Sequence, residues 1–348
     1  MKRVSVFVLA IAMVILSVTG CGGSSSKAPA PASAAPVSST APAPQKVIEI
    51  KMGFAESDSS PHYKGYQKIA ENMERISNGL LKVTLYPSNQ LGNERDLYEG
   101  CQIGSIDAMI ITNAVLTNFI PEAAVLDQPF LFATAEQAHK VIDGKLGDMI
   151  KEESAKKGVQ LVGWCDSGFR DIFSAAPINS ADDIRGKKIR TMENKMHIAA
   201  YNAIGAIATP MAFGDVFTAL QQGAIDGYEN SVANMYGNKF YEVCKYAVRS
   251  RVHFAFQGVC ISNKIWAQIP DAMKPELIAG INEGCQLERQ YLDEANIAWE
   301  TELQNMGVKF IDVDRDKLAA MALPAMAQFN LDKDWLKVLD EELQATKS

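Results

Sequence analysis

Two arginines and an asparagine near the middle of the chain are the residues best suited to chemistry. Arg190 ends the run G-K-K-I-R, Arg170 sits in D-S-G-F-R-D, and Asn230 closes G-A-I-D-G-Y-E-N. A guanidinium at a strand end meets a carboxylate with two parallel charge-assisted hydrogen bonds, and a nearby amide adds a neutral donor and acceptor. The pattern points to anion binding. A second role stays open for each cation: Arg190 as partner in a structural ion pair, and Arg170, which has Asp166 and Asp171 close by in sequence, as partner in a surface one. Catalysis has less to work with. The histidines His62, His139, His197 and His253 are widely spaced and form no H-E-x-x-H, no G-x-S-x-G elbow occurs, and no carboxylate pair stands out for glycosidic acid–base work. Neither a catalytic residue nor a metal or other cofactor is expected.

The elements that must position these residues read as an α/β chain. Val47 to Phe54 alternates as a strand, Tyr66 to Ser77 reads as an amphipathic helix, Leu80 to Tyr86 as a strand, Glu94 to Gln102 as a helix and Ala108 to Ile111 as a strand. That grammar predicts a parallel sheet with ligands beyond the carboxyl ends of its strands, where Thr112 and Asn113 fall. The string G-S-I-D at Gly104 to Asp107 returns as G-A-I-D at Gly223 to Asp226, each after a helix and each leading to an asparagine, Asn113 or Asn230. The echo suggests two lobes on one plan. Between the echoes a helix is expected from Ala135 to Lys157 and a strand from Val159 to Cys165, with Arg170 directly after it and on a segment adjacent to that of Arg190. A strand is expected from Val252 to Ser262, another from Gly307 to Val313, and a helical C-terminal region. From Pro275 to Met306 apolar residues recur at helical spacings, which predicts either one helix of about 45 Å bracing both lobes or two helices broken near Gly280 or Gly284.

The ends and the composition bound the compartment and the partners. Lys2 and Arg3 precede an apolar run from Val4 to Val18 that stops at V-T-G-C, the pattern of a bacterial lipoprotein signal with Cys21 as the lipid-modified first residue. An ordinary secretory signal is the alternative. Residues 22–45 are almost wholly Gly, Ser, Ala, Pro and Thr, which predicts a tether. The net charge is −7, and more negative still once Lys2 and Arg3 leave with the signal, so nucleic acid is not an expected partner. Cys101, Cys165, Cys244, Cys260 and Cys285 form no C-x-x-C pair and read as buried apolar residues, with one unassigned bridge left open.

Taken together, K-I-R-T-M-E-N, the long run G-A-I-A-T-P-M-A-F-G-D-V-F-T-A-L-Q-Q-G-A-I-D-G-Y-E-N, and the pieces L-G-N-E-R, P-F-L-F and K-F-Y-E-V resemble the extracytoplasmic solute-binding proteins of tripartite ATP-independent periplasmic (TRAP) transporters, the DctP-like family. The resemblance runs from about Val47 to the C-terminal helices. It implies an α/β, two-lobed periplasmic-binding-protein type fold with hinge strands and a long bracing helix, closing on a carboxylate-bearing solute and delivering it to a membrane permease. The expected division is 1–20 signal peptide, 21–45 lipid-anchored linker, 46–167 with 256–295 as lobe I, and 168–255 with 296–348 as lobe II. By the same resemblance the carboxylate partner falls on Arg190 and the second cation on Arg170. Asn230 becomes a further contact, Phe213 an aromatic wall, and Thr112 and Asn113 the first-lobe positions, with His62 and Asn93 as additional candidates.

Two departures from the family pattern matter: Ser231 stands where proline is usual, and Glu193 where many relatives have a neutral residue. A carboxylate beside Arg190 opposes a second ligand carboxylate by about 1 kcal/mol or more where solvation is poor and favours hydroxyl or amine donors. If Glu193 instead faces solvent, this preference disappears. The resemblance leaves room for other roles, as the binding protein of an ATP-driven importer or a sensor subunit that presents its ligand to a receptor.

Overall fold

A computed structural model describes residues 46–346. The signal, the tether and Cys21 lie outside the described residues. The strands are β1 (Ile48–Gly53), β2 (Leu81–Tyr86), β3 (Ala108–Thr112), β4 (Val159–Ser174), β5 (Lys188–Thr191), β6 (Ile207–Pro210), β7 (Gly227–Asn230), β8 (Tyr246–Ser262) and β9 (Lys309–Asp312). They join in one mixed sheet in the order β2-β1-β3-β8-β4-β7-β5-β6, with β9 alongside β8. The helices begin with α1 (Pro61–Ile76), α2 (Glu94–Ile103), α3 (Asn113–Leu116), α4 (Ala135–Ile142), α5 (Lys145–Lys156) and α6 (Lys195–Ala203). They continue with α7 (Val216–Gln221), α8 (Val232–Gly237), α9 (Asn263–Trp266), α10 (Lys274–Asn305), α11 (Arg315–Ala322) and α12 (Lys333–Ala345).

The two-lobed build follows from how the strands pair. At one end β1 runs parallel to β2 and β3, and at the other β5 runs parallel to β6 and β7, as the strand–helix–strand runs predict. The centre differs from the expected all-parallel sheet, because β8 is antiparallel to β3 and β4, and β4 is antiparallel to β7. The strands β4 and β8 are 16 and 17 residues long and pass through both lobes. Their pairing slips at three places, between Leu161 and Gly163, Asp166 and Gly168, and Arg170 and Ile172. Bulges of this kind bend a strand and raise its twist, so the two shared strands form the hinge.

The sequence echo has a structural counterpart. Gly104 and Gly223 both carry the left-handed backbone that ends a helix, with φ of 72° and 68°. Three residues on, the Asp107 carboxylate accepts from the Lys51 amide of β1 at 3.0 Å, and the Asp226 carboxylate accepts from the Lys188 amide of β5 at 2.8 Å. Each aspartate secures the parallel strand beside its own, once in each lobe.

The bracing helix is unbroken over the 32 residues of α10. Gly280 and Gly284 let it approach α1: a Cβ on Gly280 would meet Ile76 Cδ1 at 2.2 Å, and one on Gly284 would meet the Ile69 backbone nitrogen at 3.0 Å. Leu277, Ile281 and Cys285 pack into the core under β1 and β3, whereas Leu303 packs with Phe173, Tyr228 and Phe240 in the other lobe.

Elsewhere the structure corrects the sequence reading. The helix expected from Ala135 to Lys157 is two helices, α4 and α5, because the chain turns at Asp143–Gly144; a Cβ on Gly147 would sit 1.8 Å from the Ile142 carbonyl oxygen. Arg170 lies inside β4, not after it. The strand expected to begin at Val252 begins at Tyr246. At the C-terminus, α12 returns to the lobe opposite the one expected for residues 296–348: Trp335, Val338 and Leu339 join Trp164, Ile142 and Leu146 in one core. The five cysteines of the described residues are buried free thiols, and burial pushes those of Cys101 and Cys244 up to about 12, leaving them inert.

Candidate functional site

Arg170 and Arg190 do not sit on adjacent strands. β7 lies between β4 and β5, and its Glu229, fully buried, joins the two cations. Arg170 Nε donates to Glu229 Oε2, its NH2 to the Glu229 carbonyl at 2.9 Å and its NH1 to Ser167 Oγ at 3.0 Å. Arg190 donates from NH1 to Glu229 Oε1 at 3.3 Å, and from Nε and NH2 to the Met211 carbonyl at 3.0 and 2.8 Å. Each guanidinium carries five N–H donors, so these contacts fix its plane and leave N–H groups free for an anion. Burial alone would raise the Glu229 carboxyl, but Arg170, reinforced by Arg190, holds it below its ordinary value. Burial lowers Arg190, with Glu229, Glu94 and Glu193 pulling the other way. Glu229 is the counter-charge shared by both guanidiniums, and their remaining N–H groups are available to a ligand carboxylate.

Both arginines line a narrow cavity of about 20 Å3, and a second of about 10 Å3 adjoins it through Ala55, Glu94, Arg190 and Phe213. Asn230 and Asn234 complete the cationic side. Phe213, half-buried, stands 6.0 Å from the Arg190 guanidinium carbon and walls both spaces. The opposite wall comes from the ends of β1 and β3 and the start of α2, and it is acidic. Glu56 accepts from Gln257 Nε2, itself held by Tyr66 Oη. Glu94 accepts from the Thr112 amide at 2.5 Å and faces the Thr112 hydroxyl at 3.3 Å. Burial, with Glu56 beside it, pushes the Glu94 carboxyl up to about 7.

Of the nine residues singled out in the sequence, seven meet at these cavities. Arg170, Arg190, Asn230, Phe213 and Thr112 line the larger one, and Asn93 and Glu193 line the second. Glu193 is half-buried there. Asn93 also caps α2, accepting from the Asp96 amide at 3.1 Å. The other two lie elsewhere. Asn113 has both ends of its amide in use inside the protein, donating to Asp127 at 2.6 Å and accepting from the Phe256 amide at 2.8 Å. His62 is buried under α10 with Nδ1 2.5 Å from Glu288 Oε1, where apolar residues and a carboxylate surround it. Sequence reasoning missed Glu56, Glu94 and Glu229. Only Glu229 carried a signal, as a charged residue inside a short strand that otherwise reads as buried.

The model of one protein family, the bacterial extracellular solute-binding proteins, family 7, matches residues 52–330. The chain belongs to this family. A curated solute-binding protein of Verminephrobacter eiseniae is 31% identical, over 86% of this chain and 89% of its own. The TRAP solute-binding protein of Polaromonas sp. JS666, solved with D-erythronate, is 30% identical with a TM-score of 0.81, covering 85% of this chain and 98% of its own. The sugar-acid-binding protein DctPAm of Advenella mimigardefordensis, solved with galactonate, is 28% identical with a TM-score of 0.82, covering 87% and 98%. TRAP solute-binding proteins are periplasmic and two-lobed.

Proposed function

We propose that this TRAP solute-binding protein captures a hydroxylated or amino-bearing monocarboxylate and passes it to a membrane permease driven by an ion gradient. The observation that carries the reading is the facing of Arg170 and Arg190 by Glu56 and Glu94 across one cavity. The carboxylate end of the solute pairs with the free N–H groups of the arginines, Arg190 as principal clamp. Asn230 and Phe213 orient it, and Thr112 and Asn93 contribute from the other lobe. The distal end meets carboxylates, which accept from hydroxyl or ammonium groups and oppose a second carboxylate by about 1 kcal/mol or more where solvation is poor. Glu193, on the adjoining cavity, acts in the same direction. The erythronate and galactonate of the two solved relatives are solutes of this hydroxy-acid kind.

A calorimetric and thermal-shift panel of galactonate, erythronate, glucuronate, amino acids, succinate and malate tests the reading, since a ligand specific to the folded form raises the melting temperature by mass action. Binding of hydroxy or amino monocarboxylates in preference to dicarboxylates is expected. Tight succinate or malate binding with no affinity for sugar acids overturns the preference. Binding without turnover is the expected activity, because Glu229 holds the two guanidiniums in place to pair with a ligand carboxylate. The solute is released to the permease on lobe opening, and the lipid on Cys21 keeps the protein at the membrane; mass spectrometry of the mature N-terminus and release of Cys21→Ser into the soluble fraction check the anchor.

A further inference from the structure

The lobes touch directly around the cavities. Asn118 Nδ2 donates to the Glu193 carbonyl at 3.0 Å, and Asn194 Nδ2 to the Ala114 carbonyl at 3.0 Å and to Asp127 at 2.6 Å. A third contact, between the loop after β1 and the last turn of α8, differs in kind. The hydroxyls of Ser57 and Ser59 both donate to the Gly237 carbonyl, at 3.0 and 2.8 Å. That oxygen belongs to the final turn of α8, where helix carbonyls have no partner within the helix. Gly237 is buried, and a Cβ on it would lie 3.1 Å from Ser60 Cα and 3.6 Å from the Ser60 nitrogen. Ser60 caps α1, so the carbonyl end of α8 abuts the amide end of α1, opposite poles of their backbone dipoles.

Both partners are adjacent in the chain to the ligand cavity. Glu56, which precedes Ser57, lines it from one lobe, and Asn234, one helical turn before Gly237, lines it from the other. From this we infer that the Ser57/Ser59–Gly237 contact is a closure clasp: Gly237 is a positioning residue for solute capture, glycine because a Cβ there would crowd the Ser60 backbone and weaken the closed contact. The inference rests on the solute-binding reading above.

Gly237 has an ordinary helical position without the left-handed backbone, so its local structure does not require glycine. This gives the test two opposite signs. Alanine is the better helix former, so Gly237→Ala leaves the melting temperature of the unliganded protein unchanged or raised if α8 alone is affected. The clasp requires that the same variant release D-glucuronate faster, by about threefold or more, with Ser57→Ala/Ser59→Ala shifting dissociation in the same direction. Spin labels on the exposed residues Gln67 and Lys245 report the lobe separation independently, and a smaller short-distance population is expected in Gly237→Ala. Dissociation rates and label distances equal to those of wild type overturn the clasp. If wild type binds none of the carboxylates in the panel, the solute-binding reading fails, and the label distances of the two unliganded proteins alone decide the clasp, identical distributions overturning it.

Discussion

At the scale of single residues, the site is organised by a carboxylate that does not line the cavity. Glu229 fixes the planes of both guanidiniums, so the arginines are pre-oriented and lose little freedom when a ligand arrives. Arg190→Ala leaves a ligand carboxylate unpaired in a closed site. It is expected to weaken binding at least about tenfold, since a hydrogen bond to a charged group contributes roughly 1.5–3 kcal/mol; unchanged affinity in calorimetry removes Arg190 from the clamp. Glu94 adds a pH dependence. Its folded value near 7 lies above that of an ordinary carboxyl, so its contribution to the stability of the unliganded protein is present below the unfolded value and lost as pH rises through about 7. An anionic solute beside Glu94 favours the protonated form further. Binding should take up a proton and tighten as pH falls from about 8 to 6, and Glu94→Gln should flatten this trend. Calorimetry in buffers of different ionisation enthalpy measures the uptake directly. The arginines were legible because a guanidinium beside a short apolar run stands out as an anion partner, with a structural ion pair left open for each, whereas Glu56 and Glu94 looked like any surface acid of an acidic chain.

At the scale of elements, the decisive packing is α1 against α10. Gly65 faces Glu288, and a Cβ there would come within 2.7 Å of the Glu288 backbone Cα. Gly65→Ala should therefore destabilise by about 1–3 kcal/mol, the usual range for overpacking, despite alanine's better helix propensity; an unchanged denaturation midpoint would show that the helices can separate without cost. The periodicity from Pro275 to Met306 left one helix or two, since glycine weakens a helix. Contact with α1 decides for one helix, because Gly280 and Gly284 are where the backbones come together. The same limit explains Ala135 to Lys157. Its pattern reads continuously through Gly144 and Gly147, and only the approach of Gly147 to the Ile142 carbonyl shows that the chain must turn. Arg170 was expected beyond a strand end for a related reason: bulges interrupt the apolar alternation of β4 without ending the strand.

At the scale of the whole molecule, the hinge strand β8 carries a buried ionisable group packed against a helix of one lobe. His253 on β8 stacks on His197 of α6, ring centroids 3.7 Å apart, with Tyr201 and Arg170 also near. Burial, then the charges of His197 and Arg170, lower its value well below the ordinary one. A histidine so depressed contributes stability that is present above its unfolded value and lost as pH falls below it. His253 should contribute a fall in melting temperature on acidification below about 6.5, opposite in sign to the Glu94 contribution, so His253→Phe should make stability decline less or rise more as pH falls; a pH profile identical to that of wild type removes His253 from the acid response. The sequence by itself determined the α/β class and the cation-bearing stretch around Arg190, and its echo of G-S-I-D in G-A-I-D suggested two lobes, because periodicity, turn chemistry and strand-end charge are local properties. Only the tertiary structure decided that Glu229 stands between the arginines, that Glu56 and Glu94 face them, and that His62 and Asn113 turn inward. Those facts depend on strand order and lobe closure, which bring together residues far apart in the chain, and no local pattern encodes which charge a strand will find beside it.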